Sequence, residues 1–428
     1  MKKSLIALAA LAATASFAQS SVTLSGLLDF AGANVGGTQA WAKGSTVSTT
    51  VGTSATSVIR IDAVEDLGGG MKASVRYALD PRTFSNDSYA VTNNTGAVVN
   101  TGAVAGASPV LLGTVGGQTN TATGMARDEA YVALEGGFGG VKLGSPNSIG
   151  LTSFLGGSPL GTGVGSGYTG AGTAGTMTNS FVNTRYNRSV RYDSPVMSGF
   201  SATVLFAPGN DQAPTTSTAT YASVGGAAAP SVPVANLIPN ARKSTEIGLR
   251  YANGPLAVSY VNIAQDAQTN ATGWYANASS SKAVKTSMNI VDASYNFGST
   301  TVYAGWNDGE RLAPLGSAGT PATAAVDSKG YRVALKQNFG AIDLIAQYSQ
   351  QEALGVTGIT TAGTGVTTVN TAIIKAKVTG LRADYNLSKT AALYLGYEKY
   401  DTGIAYNATS PGTTGDRTVT SLGLRKSF

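Results

Sequence analysis

The stretch Met71-Lys72-Ala73-Ser74-Val75-Arg76-Tyr77-Ala78-Leu79 alternates between apolar side chains and mostly polar or charged ones. Successive side chains of a β-strand point to opposite sides of the sheet, so this period of two predicts a strand with one apolar face and one polar face. The same alternation recurs at 244–251 and 342–348. A single strand of this kind occurs in many soluble sheets, so the number and spacing of the strands must decide the fold.

Sixteen strands are predicted, with cores that run from 22–32 at the start of the chain to 418–428 at its end. Short turns such as 253–255 alternate with long segments rich in Gly, Ser, Thr and Ala, such as 208–243, 307–328 and 351–375. This alternation puts every long connection at one end of the sheet, which is typical of barrels in the bacterial outer membrane. We therefore predict an all-β fold, a 16-stranded antiparallel transmembrane β-barrel with short periplasmic turns and long extracellular loops.

Aromatic residues support this choice because they cluster near the ends of the predicted strands. Such rings occupy both membrane interfaces in outer-membrane barrels. The alternative is a large secreted β-sandwich or propeller, whose core aromatics would lie in the middle of the strands. The aromatics near short turns are Tyr192, Tyr251, Phe297, Phe339 and Tyr385, and those near the opposite ends are Tyr260, Trp306, Tyr348 and Tyr400.

The N-terminus has the layout of a secretory signal peptide. Met1-Lys2-Lys3 is followed by a short apolar run, and Ser16-Phe17-Ala18 supplies small residues at the positions that signal peptidase reads. We expect cleavage between Ala18 and Gln19, which gives a signal peptide at 1–18 and a barrel domain at 19–428. The alternative is an uncleaved anchor, but the run is too short to span a bilayer as a helix.

The composition excludes several classes of function. The 428 residues include no His and no Cys, so the chain cannot form a Ser-His-Asp or Cys-His hydrolase, a thiolate site or the usual zinc sites. We expect no enzymatic activity, no catalytic residue, no cofactor and no bound metal. Only 12% of residues are charged, and the formal charge of +6 is spread without a basic cluster. The sequence therefore predicts no nucleic-acid partner.

The C-terminal strand carries a further signal. Leu422, Leu424 and Phe428 share the predicted lipid face, and a last strand that ends in Phe resembles the signal read by the barrel-assembly machinery. Lys426 departs from the apolar residue most often found two positions before that Phe. A lysine at the interface can extend its ammonium group to the lipid headgroups, so the departure is minor.

Several segments together resemble the Gram-negative porins of the β-proteobacterial and neisserial type. The resemblance implies a homotrimer of sixteen-stranded barrels that pass small hydrophilic solutes, with the third long loop folded inward. It also implies contact with outer-membrane lipid and lipopolysaccharide, and a role for the second long loop, 81–126, in latching onto a neighbour. The segments are Ser21 to Asp29, Glu65 to Ala73, Ala130 to Leu134, Ser189 to Phe200 and Gly423 to Phe428.

Alternation also predicts which side chains line the lumen. Charged residues that faced the hydrocarbon would cost about 2–4 kcal/mol each near the bilayer midplane, so they are expected to face inward. Most of them could equally be solvated positions without an individual role. The predicted pore-lining residues are Arg60, Asp62, Lys72, Arg76, Glu135, Lys142, Arg185, Arg191, Arg250, Arg332, Arg382 and Asp384.

The third long loop, 146–184, is the predicted constriction. Asn147, Ile149, Leu151, Phe154 and Leu155 are its candidate docking residues, and the alternative is a disordered linker. Related porins commonly place acidic groups of this loop opposite wall arginines. Here no Asp, Glu, Lys or Arg occurs between Ser145 and Thr184, so the transverse field is expected to be weak.

Taken together, these features predict an outer-membrane general diffusion porin for ions and small hydrophilic solutes, with weak charge selectivity. Two alternatives stay open. One is a non-conducting surface adhesin that displays its long loops, and the other is a porin specific for one class of solute.

Overall fold

A computed structural model describes most of the barrel. The predicted cleavage site at Ala18 and Gln19 and the predicted latch loop 81–126 lie outside the described residues. These are 20–37, 49–52, 57–79, 128–167, 184–186, 188–208, 216–218, 233–235, 243–269, 282–314, 323–361, 367–401 and 417–428.

Seventeen strands form one sheet, and sixteen of them make up the wall of the barrel. The remaining strand, Thr49–Gly52, pairs with β1, and Thr216–Thr218 pairs with Pro233–Ala235 in a separate ribbon. The wall strands are β1 (Ser21–Gly37), β2 (Val58–Gly68), β3 (Met71–Leu79), β4 (Ala130–Gly136), β5 (Gly139–Ser145), β6 (Ser189–Asp193), β7 (Phe200–Ala207), β8 (Lys243–Asn253), β9 (Leu256–Thr269), β10 (Lys282–Asn296), β11 (Thr300–Pro314), β12 (Thr323–Phe339), β13 (Ile342–Thr361), β14 (Thr367–Asn386), β15 (Ala391–Asp401) and β16 (Arg417–Ser427).

The sheet closes because β1 pairs antiparallel with β2 on one side and with β16 on the other. Every other wall strand pairs antiparallel with its neighbours in chain order. Closure leaves no exposed sheet edge, which a lipid environment would not tolerate. The prediction of a 16-stranded antiparallel barrel is confirmed.

Several strands are longer than predicted. β13 and β14 have 20 residues each and pair as far as Thr361 and Thr367, so much of the predicted loop 351–375 is strand. The predicted loop 307–328 likewise contains the ends of β11 and β12. These extensions are rich in Thr, Val and Ala without a clear apolar alternation, because strands that rise above the membrane need no lipid face.

The two faces of the wall differ as alternation predicts. Val75, Ile247, Leu249 and Leu395 project outward and are exposed, whereas the residues between them point into the barrel. An outward band of this kind is in contact with lipid in transmembrane barrels. Among the described residues, no helix is both long enough and apolar enough to cross a membrane.

One helix, α1 (Ile149–Gly156), follows β5 and lies against the inner face of β7–β10. Ser148 caps it, because its side-chain oxygen accepts the backbone N–H of Leu151 at 2.9 Å. A serine in this position satisfies one of the N–H groups that a helix start leaves unpaired. The residues from Ser145 to Gly157 thus turn from the wall into the interior of the barrel.

Candidate functional site

An apolar patch on the inner wall holds α1. Ile149, Leu151 and Phe154 are buried against it, while Leu155 is 41% exposed. Leu155 was predicted as a docking residue, but the helical turn places it with Thr152 on the face away from the wall. The sequence analysis missed this patch, although its signal is readable in β9, where both faces carry apolar residues. The cluster comprises Ile149, Leu151, Phe154, Tyr186, Leu205, Ala207, Val261, Ile263, Met288 and Ile290.

A buried carboxylate anchors the start of α1. One oxygen of Glu246, in β8, accepts the backbone N–H groups of Ile149 at 2.5 Å and Gly150 at 3.1 Å. Its other oxygen accepts the hydroxyl of Tyr186 at 2.8 Å. Unpaired N–H groups and the helix dipole favour a negative charge at this end. The wall therefore supplies the charge that the loop lacks.

An ion pair on the wall holds the end of α1. Arg332 pairs with Asp292 and donates from its Nε to the carbonyl oxygen of Gly157 at 2.9 Å. Ser153 donates its hydroxyl to Asp292 at 2.7 Å, and the guanidinium of Arg332 lies 4.3 Å from the ring centroid of Phe154. Arg332 was predicted to line the lumen, but it is only 3% exposed because the loop covers it.

The loop continues along the wall after α1. Ser158 donates to the side-chain oxygen of Gln347 at 2.9 Å, and the amide of Gln347 donates to the carbonyl of Ser166 at 2.8 Å. The N–H of Gly165 donates to Glu398 at 2.7 Å. The described part of the loop, as far as residue 167, therefore lies against the inner wall from β8 to β15.

Two glycines of the wall allow this close contact. A Cβ at Gly248 would come within 2.5 Å of the side chain of Ile149, and a Cβ at Gly380 would overlap the carbonyl of Gly165. Gly165 itself has a φ of +88°, which favours glycine. Side chains at Gly248 and Gly380 would push the loop away from the wall.

On the opposite wall, the predicted lining residues Asp62 in β2 and Arg76 in β3 form an ion pair. Arg76 contacts Asp62 at 2.7 Å and Glu129 at 3.0 Å. Arg185, which follows the loop, contacts Asp128 at 2.6 Å. Cation and carboxylate thus alternate along this part of the wall and cancel much of each other's field.

A second set of ion pairs and hydrogen bonds on this wall connects β5 and β6 to the start of the loop. Asp193 accepts from Lys142 at 3.0 Å and from Arg191 at 2.8 Å. Arg191 also donates to the carbonyl of Asn147 at 2.9 Å, and the N–H of Asn147 donates to Glu129 at 3.0 Å. Asn147, a predicted docking residue, is therefore held through its backbone.

Four other predicted lining residues make no ion pair with any residue that the structure describes. Arg60 lies in β2 and Arg250 near the short-turn end of β8, where it is exposed. Lys72 and Glu135 are cross-strand neighbours in β3 and β4. The charges of Lys72 and Glu135 offset each other. Arg60 and Arg250 are therefore the two predicted lining residues whose charge no described residue compensates.

Arg382 and Asp384 are buried, although both were predicted to line the lumen. Arg382 contacts Asp384 at 2.5 Å and lies over the ring of Tyr394, 4.5 Å from its centroid. Arg425 adds a second cation to Asp384 at 3.1 Å. This packing removes Arg382 and Asp384 from contact with the lumen.

The C-terminal residues close the barrel. Leu422, Leu424 and Phe428 are all exposed on its outer side. The N–H of Gly26 donates to the carbonyl of Phe428 at 2.9 Å, and the N–H of Phe428 donates back to Gly26 at 3.1 Å. The last residue thus takes part in the seam with β1.

Comparisons with known proteins agree with this architecture. The family profile described as Gram-negative porin matches residues 5–405. A segment of 93 residues is 38% identical to the major outer membrane protein P.IB of Neisseria gonorrhoeae and covers 21% of this chain and 24% of that relative. The matched segment thus spans about a quarter of that relative's length.

Two solved structures share the fold at low sequence identity. The anion-selective porin from Comamonas acidovorans has a TM-score of 0.61 at 20% identity, and the match covers 96% of this chain and 100% of that one. OmpT of Vibrio cholerae in its trimer form has a TM-score of 0.54 at 12% identity, with 96% and 99% covered. The chain therefore belongs to the Gram-negative porin family and is a protein of the bacterial outer membrane.

Proposed function

We propose that this chain is a general diffusion porin that gives ions and small hydrophilic solutes passive passage across the outer membrane. The observation that carries the proposal is the loop 146–167 docked on one inner wall, opposite a wall of charged residues on β2–β6. A barrel of sixteen strands is wide enough to keep an aqueous channel beside such a loop. Members of this family are known as channels without enzymatic activity.

The arrangement of charges supports weak selectivity with a preference for anions. Two carboxylates, those of Glu246 and Glu398, are buried and accept backbone N–H groups of the loop. Arg60 and Arg250 form no ion pair with any described residue, so the net charge that faces the lumen is positive. The similar porin from Comamonas acidovorans is named as anion-selective, which agrees with this proposal.

The test is a planar-bilayer measurement of the purified protein under a KCl gradient. We expect stable conductance and a reversal potential of small magnitude, with the sign of an anion preference. A strong selectivity of either sign would contradict the weak one. An absence of conductance would contradict the pore itself and favour the adhesin, and block of the current by one class of solute would favour a specific porin.

Three further parts of the proposal concern processing and assembly. The chain is cut between Ala18 and Gln19, assembles as a homotrimer, and is inserted by the barrel-assembly machinery through its last strand, which ends in Phe428. The trimer form of OmpT supports the oligomeric state. Migration as a monomer on unheated SDS gels would contradict the trimer, and the mass of the mature chain checks the cleavage site.

A further inference from the structure

Strand β1 changes its pairing partner partway along its length. Its pairing with β2 ends at Leu27, and its pairing with Thr49–Gly52 begins at Ala31. The three residues between these points have no ladder partner on this side in the described part of the chain. The backbone N–H of Asp29 donates instead to the side-chain oxygen of Ser57 at 3.0 Å. At this height β1 therefore depends on β16, its neighbour on the other side.

A tyrosine of β15 reaches β1 across β16 at the same height. Tyr394 lies on the inner face, is 2% exposed, and donates its hydroxyl to Asp29 at 2.7 Å. Its cross-strand partner in β16 is Gly423. A Cβ at Gly423 would overlap the ring of Tyr394, so a glycine is needed here to leave room for the ring over this strand. The tyrosine thus joins the two strands that flank β16.

Charged neighbours fix both ends of this contact. Arg382, in β14, lies 4.5 Å from the ring centroid of Tyr394 and pairs with Asp384. Arg425, in β16, is the cross-strand partner of Asp29 and contacts Asp384 at 3.1 Å. Asp29, Arg382 and Asp384 are buried, and buried charges are costly without partners. The contact therefore belongs to a polar network that connects β14, β15, β16 and β1.

The third loop adds an apolar contact to the same seam. Val164 packs with Ala33 of β1 and Val419 of β16 in one buried cluster. The next residue, Gly165, donates its N–H to Glu398 of β15 at 2.7 Å. The loop thus covers the junction of the first and last strands on the long-connection side of Tyr394.

We propose that Tyr394, Asp29 and Gly423 form a clasp that holds the seam of the barrel closed from the inside. Tyr394 can reach Asp29 only when β1 lies beside β16, so the clasp forms after the two strands have paired, as a late step of folding. A contact that forms after the transition state mainly slows unfolding and leaves the folding rate almost unchanged. The clasp acts where the other ladder of β1 is interrupted, and Tyr394 is its positioning residue.

The test is hydrogen exchange, followed by mass spectrometry, on the folded protein in detergent. Tyr394→Phe removes only the hydroxyl. The amides of β1 and β16 around Asp29 and Arg425 should exchange at least about tenfold faster, as expected for the loss of one hydrogen bond to a charged group. Exchange in β8–β11 should stay as in the wild type. The folded form should be lost about tenfold faster on heating, at an unchanged folding rate.

Three further comparisons separate the hydroxyl, the ring and the carboxylate. Tyr303→Phe is the matched control, because Tyr303 lies on the inner face of β11 and its hydroxyl donates to no described residue. Gly423→Ala should displace the ring and act like Tyr394→Phe, whereas Gly32→Ala, with open space around the new methyl group, should not. Asp29→Asn keeps an acceptor for the hydroxyl and should retain more protection than Asp29→Leu. Heat-modifiable migration shows which variants fold.

Several outcomes would overturn the proposal. Equal exchange in Tyr394→Phe and Tyr303→Phe would remove the role of the hydroxyl, and faster exchange in the whole barrel would show a general loss of stability. Slower folding with an unchanged rate of unfolding would contradict late formation. If Tyr394→Phe does not fold, equal exchange in Asp29→Asn and Asp29→Leu would contradict the clasp. None of these measurements uses the channel current, so a clasped barrel that does not conduct would refute only the pore.

Discussion

The carboxylate of Glu246, on the wall, accepts the backbone N–H of Ile149, at the start of α1, over 2.5 Å, although 97 positions separate the two residues in the chain. Glu246 is fully buried. A loop without charged side chains is thus fixed by a charge that belongs to the barrel. Its position depends on the wall, and changes in the wall should alter the channel.

Glu246→Ala should loosen the loop. The N–H groups of Ile149 and Gly150 would lose their acceptor, at about 1–3 kcal/mol for each buried group left unsatisfied. We expect larger current fluctuations in single-channel recordings than in the wild type. Glu135→Ala is the control, because Glu135 lies on the wall opposite the loop and has no hydrogen bond to the part of the loop that the structure describes. Equal noise in both variants would show that Glu246 does not hold the loop.

Gly248→Val should narrow the channel. The new side chain would occupy the space of Ile149, since even a Cβ would come within 2.5 Å of its methyl group, and would displace α1 toward the lumen. We expect a lower single-channel conductance in KCl. Gly32→Val is the control, as no atom lies within 4 Å of a Cβ at that position. An unchanged conductance for Gly248→Val would mean that α1 does not border the open channel.

Arg60→Gln combined with Arg250→Gln should abolish the anion preference. The double change removes the two cations that have no described ion-pair partner, so the ratio of chloride to potassium permeability should fall toward one. Reversal potentials in a KCl gradient measure this ratio. Lys329→Gln, on the outer face, removes a cation outside the lumen and should leave the ratio as it is. If both variants shift the ratio equally, the net charge of the protein decides selectivity and the lining does not.

Arg332→Met should destabilise the region around α1 strongly. It leaves the carboxylate of Asp292 buried without its cation, and breaking a buried pair in this way costs about 3–5 kcal/mol. We expect a lower temperature for loss of the heat-modifiable form. The double variant Asp292→Leu, Arg332→Met removes both charges and should recover much of the loss. A double variant that is less stable than the single one would contradict this account.

Gly26→Val should impair closure of the barrel. A Cβ at Gly26 would lie 2.5 Å from the ring of Phe428, and the two residues exchange two backbone hydrogen bonds at the end of the seam. We expect less folded protein in the outer membrane, measured as the heat-modifiable fraction. Gly32→Val, in the same strand with open space around it, should assemble normally. Equal yields from the two variants would show that the contact with Phe428 is dispensable.

The lipid-facing band, the strand count and the antiparallel order could be predicted from the sequence, because they depend on a period of two that local residues express directly. Val75 and Leu395 face outward because alternate residues of a strand point to opposite faces of the sheet, and both occupy outward positions. The ends of β13 and β14 could not be predicted. Strands above the membrane need no apolar face, so their sequence lacks the alternation from which a strand is recognised.

On the inner wall, the alternation of side chains along a strand does not by itself predict which charged residues are exposed to the lumen. Alternation points Arg60, Arg332 and Arg382 inward alike. Of these three, only Arg60 has no ion-pair partner among the described residues. Arg332 is covered by α1, and Arg382 is packed on Tyr394. Which inward charge meets solvent depends on contacts between residues far apart in the chain.

The sequence by itself determined that this protein is a closed barrel with an uncharged third loop. Both properties follow from the order and type of neighbouring residues. Only the tertiary structure decided how that loop is held, because its partners Glu246, Arg332 and Glu398 lie 97, 175 and 233 positions away in the chain. Burial of polar groups forces such pairing, since a buried amide or carboxylate without a partner is costly.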